Sequence, residues 1–406
     1  MHSPRRLLTG VIAVAVLAGL VGCQPAAPAE QPRSAAGSTV APPERVVVPD
    51  APEVLAPVAP ESTTTPEPAA PAPEISATTA PRPQLVVPAP PARVPSAAPV
   101  APSPAAPAAP PSAGRPGGWL SGASGTGVAD GSLAAWRGRP MEIAGSWSDN
   151  NQDMLHFWQL QPGAEFGSWG LPMDVAIGAI GPGETWAQAA QGAYDARWRQ
   201  SLTKARELWA HRPGTLFIRF AHEMNGNWYP WSVDAGEAGD FIAAWKRFHD
   251  LQEQVYPAAQ LVFCVNRESI GTGIDWRQTF PGAAYVDVMG VDYYNQYPYV
   301  SDAAGWSASL DDRDQYGSPK GLDAHLAFAR ENGLPLAVPE WSAKASQGDS
   351  PAFVRGMYEF FRAHQGTGAG QVLYEIQFNV DMHGDDYRMF GGGRLPASAA
   401  TYRDLW

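Results

Sequence analysis

From Gly117 onward, short apolar runs alternate with longer amphipathic stretches, and turn residues separate them. The runs predict strands over Met141–Trp147, Met154–Leu160, Met173–Ile180, Thr215–Ala221, Gln260–Val265, Val286–Tyr294, Leu334–Pro339 and Gln371–Phe378. The amphipathic stretches predict helices over Thr185–Ala210, Ala238–Tyr256, Pro319–Asn332 and Pro351–His364, the last with Asp349-Ser350 in capping position and Pro351 in its first turn. Eight strands with intervening helices in residues 117–406 fit an α/β fold of the TIM-barrel type, a (β/α)8 barrel. A doubly wound open sheet is the alternative, but no glycine-rich phosphate loop or dinucleotide fingerprint follows any strand.

The first 116 residues lack this patterning. Arg5-Arg6 precede an apolar run from Val11 to Val21 that is too short for a comfortable membrane span, so residues 1–22 read as a signal peptide of the general or twin-arginine kind. That run ends in Leu20-Val21-Gly22-Cys23, which resembles a bacterial lipobox, and the resemblance implies cleavage before Cys23 and its lipidation. Residues 23–116 then form a lipid-anchored linker rich in Pro and Ala, with 26 of the 41 prolines, no aromatic residue and no sustained period of 2 or 3.6. Such a tract cannot build a core; in polyproline conformation it reaches on the order of 290 Å at roughly 3.1 Å per residue.

Composition sharpens this division. All 15 Trp, 13 Tyr and 14 Phe lie beyond residue 118, so only residues 117–406 can form the globular domain. The net charge of -12 lies there too, because 7 Arg and 7 Asp/Glu cancel in the first 116 residues. This excludes a nucleic-acid partner and disfavours anionic polymers. With Cys23 lipidated, Cys264 has no disulfide partner, and its apolar surroundings read as core.

Barrel chemistry sits at the C-terminal ends of strands, and two glutamates occupy such ends. Glu223 follows Phe217-Ile218-Arg219-Phe220-Ala221-His222, and Glu340 follows Leu336-Ala337-Val338-Pro339. Strict alternation puts Glu223 on the inward face with Ala221 and Arg219, and Glu340 there with Val338 and Leu336. Trp228, Tyr229 and Trp231 follow the first, and Trp341 abuts the second. Carboxylates beside indole rings can hold a sugar's apolar face and have their acidity shifted by desolvation. Glycoside hydrolysis needs two carboxylates in such a setting, and the fourth and seventh strands would bring them across one barrel mouth at the roughly 5–5.5 Å of retaining enzymes. Trp147, Trp169, Trp186, Tyr297 and Tyr299 are further aromatics near loops of that face. His222-Glu223 opens the zincin pattern, but Gly226 stands where its second histidine belongs, so no metal is expected.

The segment Arg219-Phe220-Ala221-His222-Glu223-Met224-Asn225-Gly226-Asn227-Trp228-Tyr229-Pro230-Trp231 resembles the signature of glycoside hydrolase family 26. The resemblance continues through Gly192-Ala193-Tyr194-Asp195, Pro281-Gly282, Tyr285-Val286-Asp287, Gly290-Val291-Asp292-Tyr293-Tyr294-Asn295, Pro339-Glu340 and Phe378-Asn379. It implies a retaining enzyme on a clan A barrel, mainly an endo-β-1,4-mannanase, with β-1,3-xylan and mixed-linkage β-glucan as the family's other substrates. It further implies Glu223 as acid/base, Glu340 as nucleophile, and His222, Trp228, Tyr294, Arg219 and Trp341 as groups around the substrate and the carboxylates. Two departures bear on the substrate: Ile177-Gly178-Ala179-Ile180 replaces a Trp-Glu-Pro-like third-strand end, and Phe378-Asn379 ends the eighth strand without a tryptophan. No cofactor is implied. The expected partners are a neutral β-linked polysaccharide or oligosaccharide and, through the lipid at Cys23, a bacterial membrane outside the cytoplasm, with the chain a monomer. A glycan-binding lipoprotein without turnover and a transglycosylase remain the alternatives; a two-lobed solute-binding protein does not suit eight strand units.

Overall fold

Six residues, five of them small, form the first strand, β1 (Leu120–Gly125), without apolar alternation, in a computed structural model that describes residues 118–406 apart from His383. The signal peptide, Cys23 and the linker lie outside the described residues. Small residues suit β1 because β2 (Ile143–Ser148) approaches closely: a Cβ on Gly122 would stand 2.0 Å from the Ile143 carbonyl oxygen. Between them runs α1 (Ser132–Arg137), whose Arg137 guanidinium donates to the Pro140 carbonyl and to Tyr402.

The strand expected over Met154–Leu160 is instead α2 (Asp153–His156) followed by a 3-10 turn, Trp158–Leu160. Met154, Phe157 and Leu160 recur every third residue and are all buried, which is helical spacing rather than strand alternation. Next come β3 (Met173–Ile177), α3 (Trp186–Ala190) and α4 (Asp195–Trp209). The single long helix expected here breaks at Gly192, whose φ of 88° is left-handed, and Asp195 starts α4 while receiving Nη2 of Arg247 at 2.5 Å. The chain continues with β4 (Leu216–Phe220), α5 (Ala238–Val255), β5 (Gln260–Asn266), β6 (Val288–Asn295), α6 (Ala303–Ser309) and α7 (Leu322–Glu331). It ends with β7 (Leu336–Ala343), α8 (Pro351–His364), β8 (Val372–Asn379), the short pair β9 (Asp381–Met382) and β10 (Asp385–Asp386), and α9 (Pro396–Leu405). Ser350 caps α8 as expected, its Oγ accepting from the Phe353 amide.

The eight long strands form a closed parallel barrel in sequence order, with β1 joining β8 from Leu120–Tyr374 to Gly125–Asn379. This is the (β/α)8 TIM barrel. One expected strand was a helical turn and one real strand carried no apolar signal, so β4 and β7 still stand fourth and seventh. Side chains such as Phe217, Val262, Val288, Ala337 and Ile376 fill the lower interior, while the larger apolar layer lies between barrel and helices.

Strand β7 departs from strict alternation. Gly290 pairs with Ala337 but Asp292 pairs with Glu340, so β7 spends an extra residue between the two pairs. Pro339, which has no amide hydrogen for the ladder, sits in that stretch. Ala337 and Glu340 therefore both face inward, and Leu336 and Val338 belong to the outer layer, contrary to the alternating assignment. Among the described residues no helix is long and apolar enough to cross a membrane.

Candidate active site

At the end of β4 the backbone leaves the sheet through two left-handed residues, Ala221 (φ 52°) and Glu223 (φ 53°). Such angles are costly for residues with a Cβ and persist where surroundings impose them. Here the Glu223 amide donates to the Cys264 carbonyl at 3.0 Å, and Asn225 and Asn266 exchange bonds at 2.8 and 2.9 Å. Ala221 turns into the outer core instead of sharing the inward face, so the turn rather than strand alternation aims Glu223 at the mouth. Glu223 is 8% exposed; its Oε1 accepts from Nδ2 of Asn266 at 2.8 Å and its Oε2 from Nε1 of Trp228 at 3.1 Å. Trp228 is 42% exposed and lies over Gly226, where a Cβ would come within 2.3 Å of the indole.

Glu340 is 6% exposed and receives three donors. Its Oε1 accepts from Nη1 of Arg219 at 2.7 Å and Nε1 of Trp147 at 2.8 Å, and its Oε2 accepts from the Tyr294 hydroxyl at 2.6 Å. Arg219 is fully buried inside the barrel and also donates to Asp174 at 2.6 Å and Asp292 at 3.2 Å. Tyr374 in turn donates to Asp174 at 2.6 Å.

These surroundings drive the two glutamates apart. Burial, followed by the negative charge of Glu340, pushes the Glu223 carboxyl up to about 7. Burial would also raise Glu340, but the Arg219 cation and the hydroxyl and indole donors outweigh it and hold the carboxyl below its ordinary value. Burial and the charge of Glu340 push Asp292 well up, so Arg219 is left to balance Glu340. His222 stays neutral, its imidazole pushed down to about 3 by burial and then by Arg219. Its Nε2 lies 3.2 Å from the Tyr229 hydroxyl, and its Nδ1 faces Asp149 at 3.9 Å.

Of the residues singled out in the sequence, Glu223, Glu340, His222, Trp228, Tyr294 and Arg219 meet at this mouth, and Trp147 joins them. Trp341 does not: the bulge that turns Glu340 inward turns its neighbour outward, and Trp341 is fully buried against Phe353, Phe361, Tyr402 and Trp406. Its indole donates to the buried Glu375, so it belongs to the core and cannot touch a substrate. Trp186 is likewise core, edge-on to Phe241, and Trp169 donates to the Pro172 carbonyl ahead of β3. Asp174, Asn266 and Asp149 were not picked out. A lone acid amid the apolar run Met173–Ile180 was the available signal for Asp174. Among the described residues no group of three or more His, Cys, Asp or Glu side chains is set to hold a metal ion.

A parallel barrel that brings two buried glutamates to its C-terminal mouth defines the class, a TIM barrel with the carboxylate pair that glycoside hydrolysis requires. Residues 192–312 match the model of glycosyl hydrolase family 26. It is 25% identical over 218 residues to endoglucanase H of Acetivibrio thermocellus, a match covering 52% of this chain and 21% of that protein. It is 28% identical over 152 residues to mannan endo-1,4-beta-mannosidase A and B of Caldalkalibacillus mannanilyticus, covering 35% and 27% respectively. The chain thus spans between 9% and 27% of the length of the curated relatives it matches. Among solved structures, the catalytic domain of a Bacillus sp. JAMB-750 endo-beta-1,4-mannanase aligns with 71% of this chain and 86% of its own, at 16% identity and a TM-score of 0.48.

Proposed function

We propose that the protein is a retaining glycoside hydrolase that cleaves a neutral β-linked polysaccharide, most closely an endo-β-1,4-mannanase in type. The observation that carries this reading is the pair of buried glutamates at one barrel mouth, Glu340 held by Arg219, Trp147 and Tyr294 and Glu223 by the neutral donors Asn266 and Trp228 alone. In the first step the ionised Glu340 attacks the anomeric carbon while Glu223 gives its proton to the departing glycosidic oxygen. In the second, Glu223 takes a proton from water, the hydroxide oxygen displaces Glu340 from the anomeric carbon, and both carboxyls return to their starting states. Arg219, Trp147 and Tyr294 keep Glu340 ionised and aimed, and Trp228 offers its exposed indole face to a sugar ring beside Glu223.

The relatives' names, a mannan endo-1,4-beta-mannosidase and an endoglucanase, support a β-linked hexose polymer as the substrate class. The net charge of -12 favours a neutral one. Lipid attachment at Cys23 and a site of action outside the bacterial cytoplasmic membrane complete the reading, on the strength of the lipobox-like segment alone.

The test is reducing-sugar release from β-mannan, glucomannan, β-1,3-xylan and mixed-linkage glucan, with the anomeric form of the first product followed by NMR. Cleavage of a β-1,4-mannan with retention supports the proposal. Retention on another polymer of the panel moves the substrate, inversion refutes the two-step mechanism, and inactivity throughout favours a binding protein.

A further inference from the structure

Asp149 lies just past the end of β2, two residues after Trp147. A third of its side chain is exposed, yet its Oδ1 is withdrawn from the surface and has no hydrogen-bond partner among the described residues. Nδ1 of His222 is equally withdrawn and equally without a partner. The two atoms stand 3.9 Å apart, too far for a direct bond and too close for both to be ignored. Buried polar atoms are normally satisfied, so a pair left open at a cleft points to a ligand atom that completes it.

The surroundings fix this pair rigidly. Tyr229 and Trp231 stack on each other at 4.3 Å and flank the His222 ring, and Trp231 donates to the His222 carbonyl at 2.8 Å. On the other side Gly178, past the end of β3, touches the Asp149 backbone: a Cβ there would stand 1.8 Å from the Asp149 carbonyl oxygen and 2.9 Å from Trp231. The small residues that end β3 therefore let the β2 loop close against the β4 loop. When the Tyr229 hydroxyl donates to Nε2, the neutral imidazole carries its proton on Nδ1, aimed towards Asp149.

We propose that Asp149 and His222 form a clamp for one sugar hydroxyl of a β-linked hexose polymer, the hydroxyl oxygen accepting from Nδ1–H of His222 and its proton going to Oδ1 of Asp149. One oxygen can lie about 2.8 Å from both atoms at their observed separation. The clamp rests on the hydrolase reading above and deepens it by naming a residue that reads the configuration of the bound sugar. Asp149 is a substrate-anchoring residue and takes no part in the proton transfers.

The test compares wild type with Asp149→Ala and the isosteric Asp149→Asn on β-1,4-mannan and a β-1,4-glucan, and follows binding of the matching hexasaccharides by calorimetry. Asp149→Ala is expected to raise KM at least about tenfold with kcat within about threefold, Asp149→Asn to recover part of the loss, and the mannan-to-glucan ratio of kcat/KM to move towards one. A KM within twofold of wild type on both polymers, or a loss confined to kcat, overturns the clamp and leaves the hydrolase reading intact. If wild type cleaves neither these polymers nor β-1,3-xylan and mixed-linkage glucan but loses oligosaccharide affinity in Asp149→Ala, the clamp stands and the hydrolase reading falls. Equal affinity in the two proteins, or binding by neither, overturns the clamp.

Discussion

Glu223 and Glu340 are the same residue type, are 8% and 6% exposed, and occupy one barrel mouth, yet their environments oppose each other. Glu223 hangs from an irregular turn and accepts only neutral donors, an amide and an indole. Glu340 sits on a strand and accepts from a guanidinium, an indole and a hydroxyl. Burial raises both; only the second has a buried cation to reverse it. The difference teaches that backbone context divides the labour: the bulge in β7 turns Glu340 onto Arg219, while the left-handed turn after β4 carries Glu223 past it.

The largest effects should come from erasing either side of the comparison. Glu340→Ala is expected to lower kcat/KM at least about 10⁴-fold on every substrate. Glu223→Ala should be comparably damaging on the polymer, but on an aryl glycoside with a highly acidic leaving group the glycosylation step should fall less than about tenfold, since that oxygen needs no proton. Pre-steady-state release of the aryl alcohol separates the two; equal losses would break the assignment. Arg219→Met probes the cation itself. It leaves Glu340 buried without its counter-charge and Asp174 and Asp292 without their guanidinium donor, and unfolding in urea should show a loss of about 3–5 kcal/mol. A smaller effect is expected one residue past Glu340: Trp341→Phe deprives the buried Glu375 of one donor, costing about 1–3 kcal/mol in the same measurement, with kcat unchanged.

The barrel and its two glutamates were legible because each glutamate follows an apolar strand run and stands among aromatics, and because helical stretches recur between the runs. What was not legible depended on contacts distant in sequence. The first strand, Leu120–Gly125, is spelled in small residues because its neighbour crowds it, and small residues leave no periodic mark. Met154–Leu160 is apolar at every third position, which a short window confuses with a strand. The phase of β7 hinged on a bulge at Pro339, and with it the fate of Trp341, which alternation brought to the mouth and packing puts in the core. Asp149 carried no local signal at all; its partner atom lies 73 residues away, on His222.

The pH dependence of kcat/KM on the cleaved polymer, measured for wild type, Tyr294→Phe, Asn266→Ala and Asp149→Asn, tests the central claim most directly. The proposed mechanism requires Glu340 ionised and Glu223 protonated, so the profile should be bell-shaped, with its alkaline limb near pH 7 and its acid limb below the ordinary glutamate value of 4.5. Tyr294 donates to the ionised form of Glu340, so Tyr294→Phe should raise that carboxyl and move only the acid limb upward. Asn266 does the same for Glu223, so Asn266→Ala should move only the alkaline limb upward. An alkaline limb that follows Tyr294→Phe, or one that ignores Asn266→Ala and shifts with Asp149→Asn instead, would contradict the division of roles between the two glutamates.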